Sequence, residues 1–327
     1  MTYDSLKGKI MTFSINYQNA GMTVLSFLKS TLKISASALT SLKKDEKGIL
    51  VNGSHVTVRY VLKENDILSI NELDSEKSIN ENIIPVDIPI NIIFENNDIL
   101  LVDKPPYMPT HPSHRHFDDT LGNALAHIYR EKNIPFVFRP IGRLDGNTSG
   151  VSLFAKNALS ASFLEYARKN SLIHKKYIAI LKGQIKSEGD NNIINANIKR
   201  QQESIITRCI ADKDDKDSDA AITHWRLLYS NEKISVVEAI PITGRTHQLR
   251  VHFAHIGHSI IGDNIYGEPS PLISRHALHA YNLTLPIPYG EEARSFSSMP
   301  PQDMQSAFEQ LTGLSFDIIK TKLKNKD

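Results

Sequence analysis

At 327 residues the chain is long for one hydrophobic core, and its 40% hydrophobic and 23% charged content are those of a globular protein, so two folded units are expected. A formal charge of +2 neither demands nor excludes nucleic acid, and it confines any such binding face to a local basic patch. The single cysteine, Cys209, excludes an intramolecular disulfide and every multi-cysteine zinc pattern. The start, MTYDSLKGKIMTFSINY, lacks a basic stretch followed by an apolar one, and no apolar run is long enough to span a bilayer. A soluble, cytoplasmic protein without a membrane segment is expected.

The first unit is expected over residues 12–73. Thr23 caps a helix carrying Val24, Leu25, Leu28 and Leu32 at helical spacing, and a second short helix runs over residues 35–44 and ends in Lys43 and Lys44. Asn52-Gly53 between two β-prone runs predicts a hairpin over 49–58, and residues 66–70 a further strand. The polar, acidic residues 71–87 lack periodicity and predict a linker, placed at 74–88.

The second unit, residues 89–313, opens with a hairpin of Ile90–Phe94 and Ile99–Val102 around Glu95-Asn96-Asn97-Asp98. A helix through Leu121, Leu125 and Ile128 follows, then a strand at 150–155, a helix at 158–168 and a strand at 175–181. Residues 212–219 are almost wholly charged and read as a solvated loop. Two long strands come next, with Thr223, Trp225, Leu227 and Tyr229 alternating in one and Ile234, Val236, Glu238 and Ile240 in the other. The fold class is therefore α+β, strand-rich with a few helices packed on it, and residues 314–327 are left as a C-terminal tail.

The densest group of chemically capable residues is Arg139-Pro140-Ile141-Gly142-Arg143-Leu144-Asp145-Gly146-Asn147-Thr148-Ser149-Gly150. It places a carboxylate in a tight, glycine-bearing loop beside guanidinium groups, which hold an aspartate ionised and nucleophilic. Asp-Gly and Ser-Gly are also ordinary turn formers, so Asp145 alone does not decide between a site and a turn.

A second cluster runs from Pro241 to His258. Thr246 is the expected N-cap of a helix that buries Leu249, Phe253 and Ile256 and presents His247 and Arg250 one turn apart on another face. Arg245 and Arg250 near a helix N-terminus oppose its dipole, which calls for a nearby anion, either an RNA phosphate or a buried carboxylate. The histidines of this region show no His-Glu-x-x-His arrangement, so a metal-dependent hydrolase is the weaker reading. On the strand at 175–181, Lys175, Tyr177 and Ala179 share a face, and Tyr177 beside Lys176 reads either as core or as a stacking platform near phosphate contacts.

Taken in order, these segments resemble the RluA-type pseudouridine synthases. The resemblance rests on Arg143-Leu144-Asp145, Thr148-Ser149-Gly150, Ala155-Lys156, Lys176-Tyr177-Ile178-Ala179, Gly244-Arg245-Thr246-His247-Gln248-Leu249-Arg250 and Gly262-Asp263-Asn264-Ile265-Tyr266-Gly267, with Asp103-Lys104-Pro105 and His111-Pro112 upstream. It covers roughly residues 90–311. It implies a mostly antiparallel catalytic domain, here preceded by a unit that looks like an S4-type RNA-binding domain, acting on uridine in structured RNA with no cofactor and no metal. Ribosomal RNA is the implied partner and transfer RNA the alternative; no obligate protein partner is implied, and a monomer is the default.

Carried over, Asp145 is the nucleophile, Tyr177 packs against the flipped uracil, and Arg250, with Arg245 as the alternative, pairs with Asp145. Arg143 fills the space the base leaves, and Leu144, His247 and Lys176 complete the substrate-binding set. Two positions depart from the pattern: Gly142 stands where the family has histidine, and Ala36 where S4-type domains have arginine. The competing reading is an RNA-binding or ribosome-assembly protein whose catalysis is dispensable.

Overall fold

The computed structural model describes residues 9–72, 82–186, 189, 191–202, 204, 206–212, 214–290 and 292–324. Most of the expected linker, residues 74–81, and the last three residues of the expected tail lie outside them.

The first unit is a four-stranded antiparallel sheet, β1 (Lys9–Ser14), β4 (Ile67–Glu72), β2 (Ile49–Val51) and β3 (Ser54–His55) in that order, carrying α1 (Val24–Ser26) and α2 (Ala36–Lys44). The chain continues α1 as a wider π-helical turn over Phe27–Thr31. Both helices start where sequence places them: Thr23 Oγ1 accepts the Ser26 amide at 3.2 Å, and Ser35 Oγ accepts the Ala38 amide at 3.2 Å. Asn52 and Gly53 have φ of 51° and 79°, the pair of positive values that a tight hairpin turn needs. Strand β1, which begins before the expected boundary at Thr12, completes the sheet. Val24, Leu28, Leu39, Ile49, Leu68 and Ile70 form the core of this unit.

The second unit is built on a nine-stranded sheet. Its strands are β5 (Asn91–Glu95), β6 (Ile99–Lys104), β7 (Ser149–Ala155), β8 (His174–Lys182), β9 (Asn192–Asn195), β12 (Ile222–Ser230), β13 (Ile234–Pro241), β14 (Leu278–Pro286) and β15 (Ala293–Ser297). The order is β5-β6-β7-β14-β8-β13-β12-β9, with β15 added on β14. A separate two-stranded ribbon joins β10 (Ile198–Arg200) to β11 (Arg208–Ile210). Helices α3 (Leu121–Glu131), α4 (Ala158–Lys169), α5 (Gln248–His255), α6 (Gln302–Thr312) and α7 (Asp317–Lys324) pack on the sheet.

Continuous apolar strands follow from burial on both faces. In β6, Ile99 and Leu101 join the core beneath α4, whereas Leu100 and Val102 join the core beneath α3. The alternation expected in β12 is broken by a bulge between Leu227 and Tyr229, so Leu228 rather than Leu227 turns fully inward. Strand β13 is buried on both faces along most of its length rather than alternating. Residues 314–324 are no tail: Phe316, Ile319 and Leu323 are buried in the main core, and Lys322 Nζ donates to the Leu228 carbonyl at 2.5 Å. The two units also touch, with Leu159 of α4 in the core of the first and Ser162 Oγ 3.1 Å from Ser35 Oγ.

Every pairing in the large sheet is antiparallel except β7 with β14, which run parallel through Ser149–His279 and Gly150–Ala280. Gly150 makes this seam close. Its φ is 115°, and a methyl group there would overlap the Ala280 carbonyl oxygen and lie 2.7 Å from its carbon. Gly150→Ala is therefore expected to lose about 2–4 kcal/mol of unfolding free energy, from left-handed strain plus overpacking, as measured by urea denaturation.

Candidate active site

Asp145 lies on the loop that enters β7, and each backbone carbonyl around it is held by a separate donor. The Leu144 carbonyl accepts Thr110 Oγ1 at 3.2 Å, and the Asp145 carbonyl accepts the Thr148 amide at 3.0 Å. The Gly146 carbonyl accepts Lys104 Nζ at 2.9 Å, and the Asn147 carbonyl accepts Arg275 Nη1 at 3.0 Å. Lys104 is completely buried and also donates to the carbonyls of Pro105 and Met108, so its three protons are all used. Burial pulls its ammonium down to about 7. Arg275 is 1% exposed and anchored by Asp303 through a fork of 2.7 and 2.9 Å. Gly142 takes a positive φ of 72°, a turn that suits glycine where the resembled pattern has histidine.

The locked loop presents the Asp145 side chain, 27% exposed, to a cleft. Arg250 Nη1 is 3.6 Å from Asp145 Oδ2, and His247 Nε2 is 3.8 Å from the same oxygen. Arg250 is itself held by Asp263 through two bonds of 2.7 Å. Burial works against both charges of this pair, but the mutual contact outweighs it, keeping the guanidinium more firmly protonated and the Asp263 carboxyl below its ordinary range. Asp263 also accepts the amides of Ile265 and Tyr266, and the Arg250 guanidinium sits 5.0 Å above the Tyr266 ring. The anion that the arginines near this helix start require is, for Arg250, a buried carboxylate.

The other arginine behaves differently. Arg245 Nη1 is 3.2 Å from Asp219 and its Nε donates to the Ala220 carbonyl at 3.1 Å, so it lines the cleft without pairing to Asp145. Thr246 is not the helix cap. His247 occupies that position in the left-handed region, with φ 58° and ψ 17°, and no side-chain cap. Gln248 does the bonding instead: its Oε1 accepts Thr243 Oγ1 and the Arg245 amide, and its Nε2 donates to the Ile222 carbonyl and Thr223 Oγ1.

The cleft has a cavity volume of about 230 Å³. Leu144 and Tyr177 supply its apolar walls; Arg143, Arg168, Lys175 and Arg245 supply positive charge. Tyr177 is nearly buried, and burial together with the Asp145 charge pushes its hydroxyl above the ordinary tyrosine range. Lys175 is pulled down to about 8 by burial and by Arg168. Lys176, expected in the substrate-binding set, does not line the cleft. Strand alternation puts it on the opposite face of β8, where its charge acts on the buried Glu238.

Among the described residues no group of three or more histidine, cysteine or acidic side chains is placed to hold a metal ion, and no helix is long and apolar enough to cross a membrane. His252 is buried against Thr223 Oγ1 and the Ala196 carbonyl. His276 Nε2 meets Thr148 Oγ1 at 2.8 Å, and His279 Nδ1 meets Ser149 Oγ at 2.9 Å, so two buried histidines brace the residues that follow Asp145.

Comparison with known proteins gives this geometry its family. Residues 98–255 match the family described as RNA pseudouridylate synthase. The RNA pseudouridine synthase YjbO of Bacillus subtilis (strain 168) is 34% identical over 284 residues, covering 86% of this chain and 97% of that protein. The ribosomal large subunit pseudouridine synthase D of Zymomonas mobilis is 32% identical over 305 residues, covering 84% of this chain and 92% of its own. Among solved structures, human RNA pseudouridylate synthase domain containing 1 superposes with a TM-score of 0.56 at 27% identity, covering 72% of this chain and 95% of that one. The chain belongs to the RluA-type RNA pseudouridine synthases, isomerases that act on RNA.

The buried histidines make stability pH-dependent. Burial holds His279 near 4 and keeps His276 well below the ordinary histidine range, so both are neutral when folded and take up protons on unfolding. Their contribution is complete above about pH 6.5 and is lost as pH falls toward 4, at about 1.4 kcal/mol per pH unit for each. Unfolding free energy is expected to decline over that window, and His279→Asn to show a shallower slope in urea melts taken at pH 7, 6, 5 and 4.

Proposed function

We propose that the chain converts uridines of ribosomal RNA to pseudouridine with Asp145 as nucleophile. One observation carries this reading: a carboxylate on a rigid loop lies beside the Arg250 guanidinium and shares with the nearly buried Tyr177 a cleft lined by cations. Those features suit a flipped nucleotide, with an apolar wall for the base and positive charge for the flanking phosphates.

In the reaction, attack of the Asp145 carboxylate on ribose C1′ or on the uracil ring accompanies cleavage of the N1–C1′ bond. The detached base turns, C5 bonds to C1′, the bond to Asp145 breaks and returns the carboxylate, the C5 proton passes to a base and N1 gains one from solvent. Tyr177 packs beneath the uracil during the turn. Arg250 orients the carboxylate, and Arg143 moves into the space the base vacates. Leu144 and His247 line the base site, Arg245 faces RNA from the rim, and Lys175 takes the phosphate-contact role expected of Lys176.

The first unit, residues 9–72, acts as an S4-like RNA-docking unit ahead of a catalytic domain that runs from residue 89 through the buried helix α7. This docking role finds support in the helix pair and hairpin sheet of that unit, and ribosomal RNA in the relative named for the large ribosomal subunit. The protein works as a monomer in the cytoplasm.

Pseudouridine mapping of ribosomal and transfer RNA from a strain lacking this protein tests both parts. Sites are expected to vanish from ribosomal RNA, and to return with the wild-type chain but not with Asp145→Asn. Purified Asp145→Asn is expected to lose more than about a thousandfold in turnover while binding RNA within about twofold of wild type. Loss confined to transfer RNA would reassign the substrate. Restoration by Asp145→Asn would overturn the nucleophile and favour an assembly protein.

A further inference from the structure

His247 approaches the Asp145 carboxylate, yet whether it brings a proton there depends on which ring nitrogen carries it. Its Nδ1 is 2.8 Å from the Tyr266 hydroxyl. That hydroxyl also accepts the Arg208 amide at 2.8 Å, from the first residue of β11. With an acceptor site of the oxygen occupied, its own proton is best satisfied by His247 Nδ1, because an undonated hydroxyl in a half-buried place is costly. The far side of the ring gives the same answer. A proton on Nε2 faces Asp145 Oδ2 at 3.8 Å as a favourable dipole, whereas a bare Nε2 lone pair would face a carboxylate.

We propose that Tyr266 is a positioning residue: its hydroxyl locks His247 as the neutral Nε2–H tautomer and so presents an N–H dipole to Asp145. This inference rests on the reading of Asp145 as nucleophile. The chain of bonds runs from the Arg208 amide through Tyr266 to His247 and the carboxylate. Its use is electrostatic. Arg250 already supplies one cation to Asp145; a second, on an imidazolium, would hold the carboxylate too tightly to attack. A neutral N–H orients the same oxygen without adding a charge.

The charged and titratable groups facing His247 are Asp145, Arg250, Asp263, Arg208, His276 and Tyr266. Burial and the arginines disfavour its protonated form, the two carboxylates favour it, and burial prevails. The Tyr266 bond adds to this, since Nδ1 cannot both accept that proton and hold one of its own.

The tautomer can be read without turnover, by nitrogen NMR of the full-length protein carrying 15N-labelled histidine at pH 7.5. His247 is expected to show an unprotonated Nδ1 and a protonated Nε2. Tyr266→Phe keeps the ring under Arg250 and removes only the hydroxyl. It is expected to raise the His247 titration midpoint, mix the tautomers, and lower kcat about tenfold with KM for RNA unchanged. The acid limb of its kcat–pH profile is expected to move upward with the histidine. An Nδ1–H tautomer or an imidazolium in the wild-type protein would overturn the proposal and leave the Asp145 assignment untouched. An unaltered kcat and pH profile in Tyr266→Phe would overturn it equally.

Discussion

The site depends on one guanidinium shared unequally between two carboxylates. Asp263, with no exposed side-chain surface, takes two of the Arg250 nitrogens at 2.7 Å, and Asp145 faces the third at 3.6 Å. The tight fork compensates the cost of burying the arginine and fixes its plane. The looser contact orients Asp145 while leaving its carboxylate partly open to the cleft. A lysine would not serve, because a single ammonium cannot make a fork and still project a donor across to a second acid.

That arrangement works only if the Asp145 backbone does not move, and the fold supplies the rigidity with buried cations. Lys104 and Arg275, both almost without exposed surface, spend their protons on loop carbonyls, while the parallel β7–β14 seam closes behind the loop at Gly150. Two further basic side chains are thus committed to holding main chain. The basic side chains left facing the cleft include Arg143 and Lys175.

Much of this was legible in the residues. Local signals carried the hairpins, because Asn52-Gly53 and the 95–98 turn specify their geometry within a few positions, and the capped helices at Thr23 and Ser35 likewise. Asp145, Tyr177 and Arg250 were readable only as an ordered set of motifs, since an Asp-Gly pair by itself is an ordinary turn. What escaped was long-range. Arg275 lies 128 positions from the Asn147 carbonyl it holds, with nothing in its neighbours to mark it. The π-helical turn after Ser26 and the bulge in β12 arise from tertiary packing that periodicity does not encode. The motif points to Lys176, whereas strand alternation groups Lys175 with Tyr177, and Lys175 is the one that lines the cleft. Residues 314–324 looked like a polar tail because three buried residues, Phe316, Ile319 and Leu323, are a sparse helical stripe.

Catalysis by Asp145 requires the target nucleotide to sit within reach of its carboxylate. A crystal structure of Asp145→Asn bound to its uridine-containing RNA measures this directly. A flipped uridine is expected, with its ribose C1′ or its uracil ring about 3–3.5 Å from the residue 145 side chain and the Tyr177 ring packed under the base. A uridine left stacked in the RNA, or seated in the cleft beyond the reach of residue 145, would contradict it.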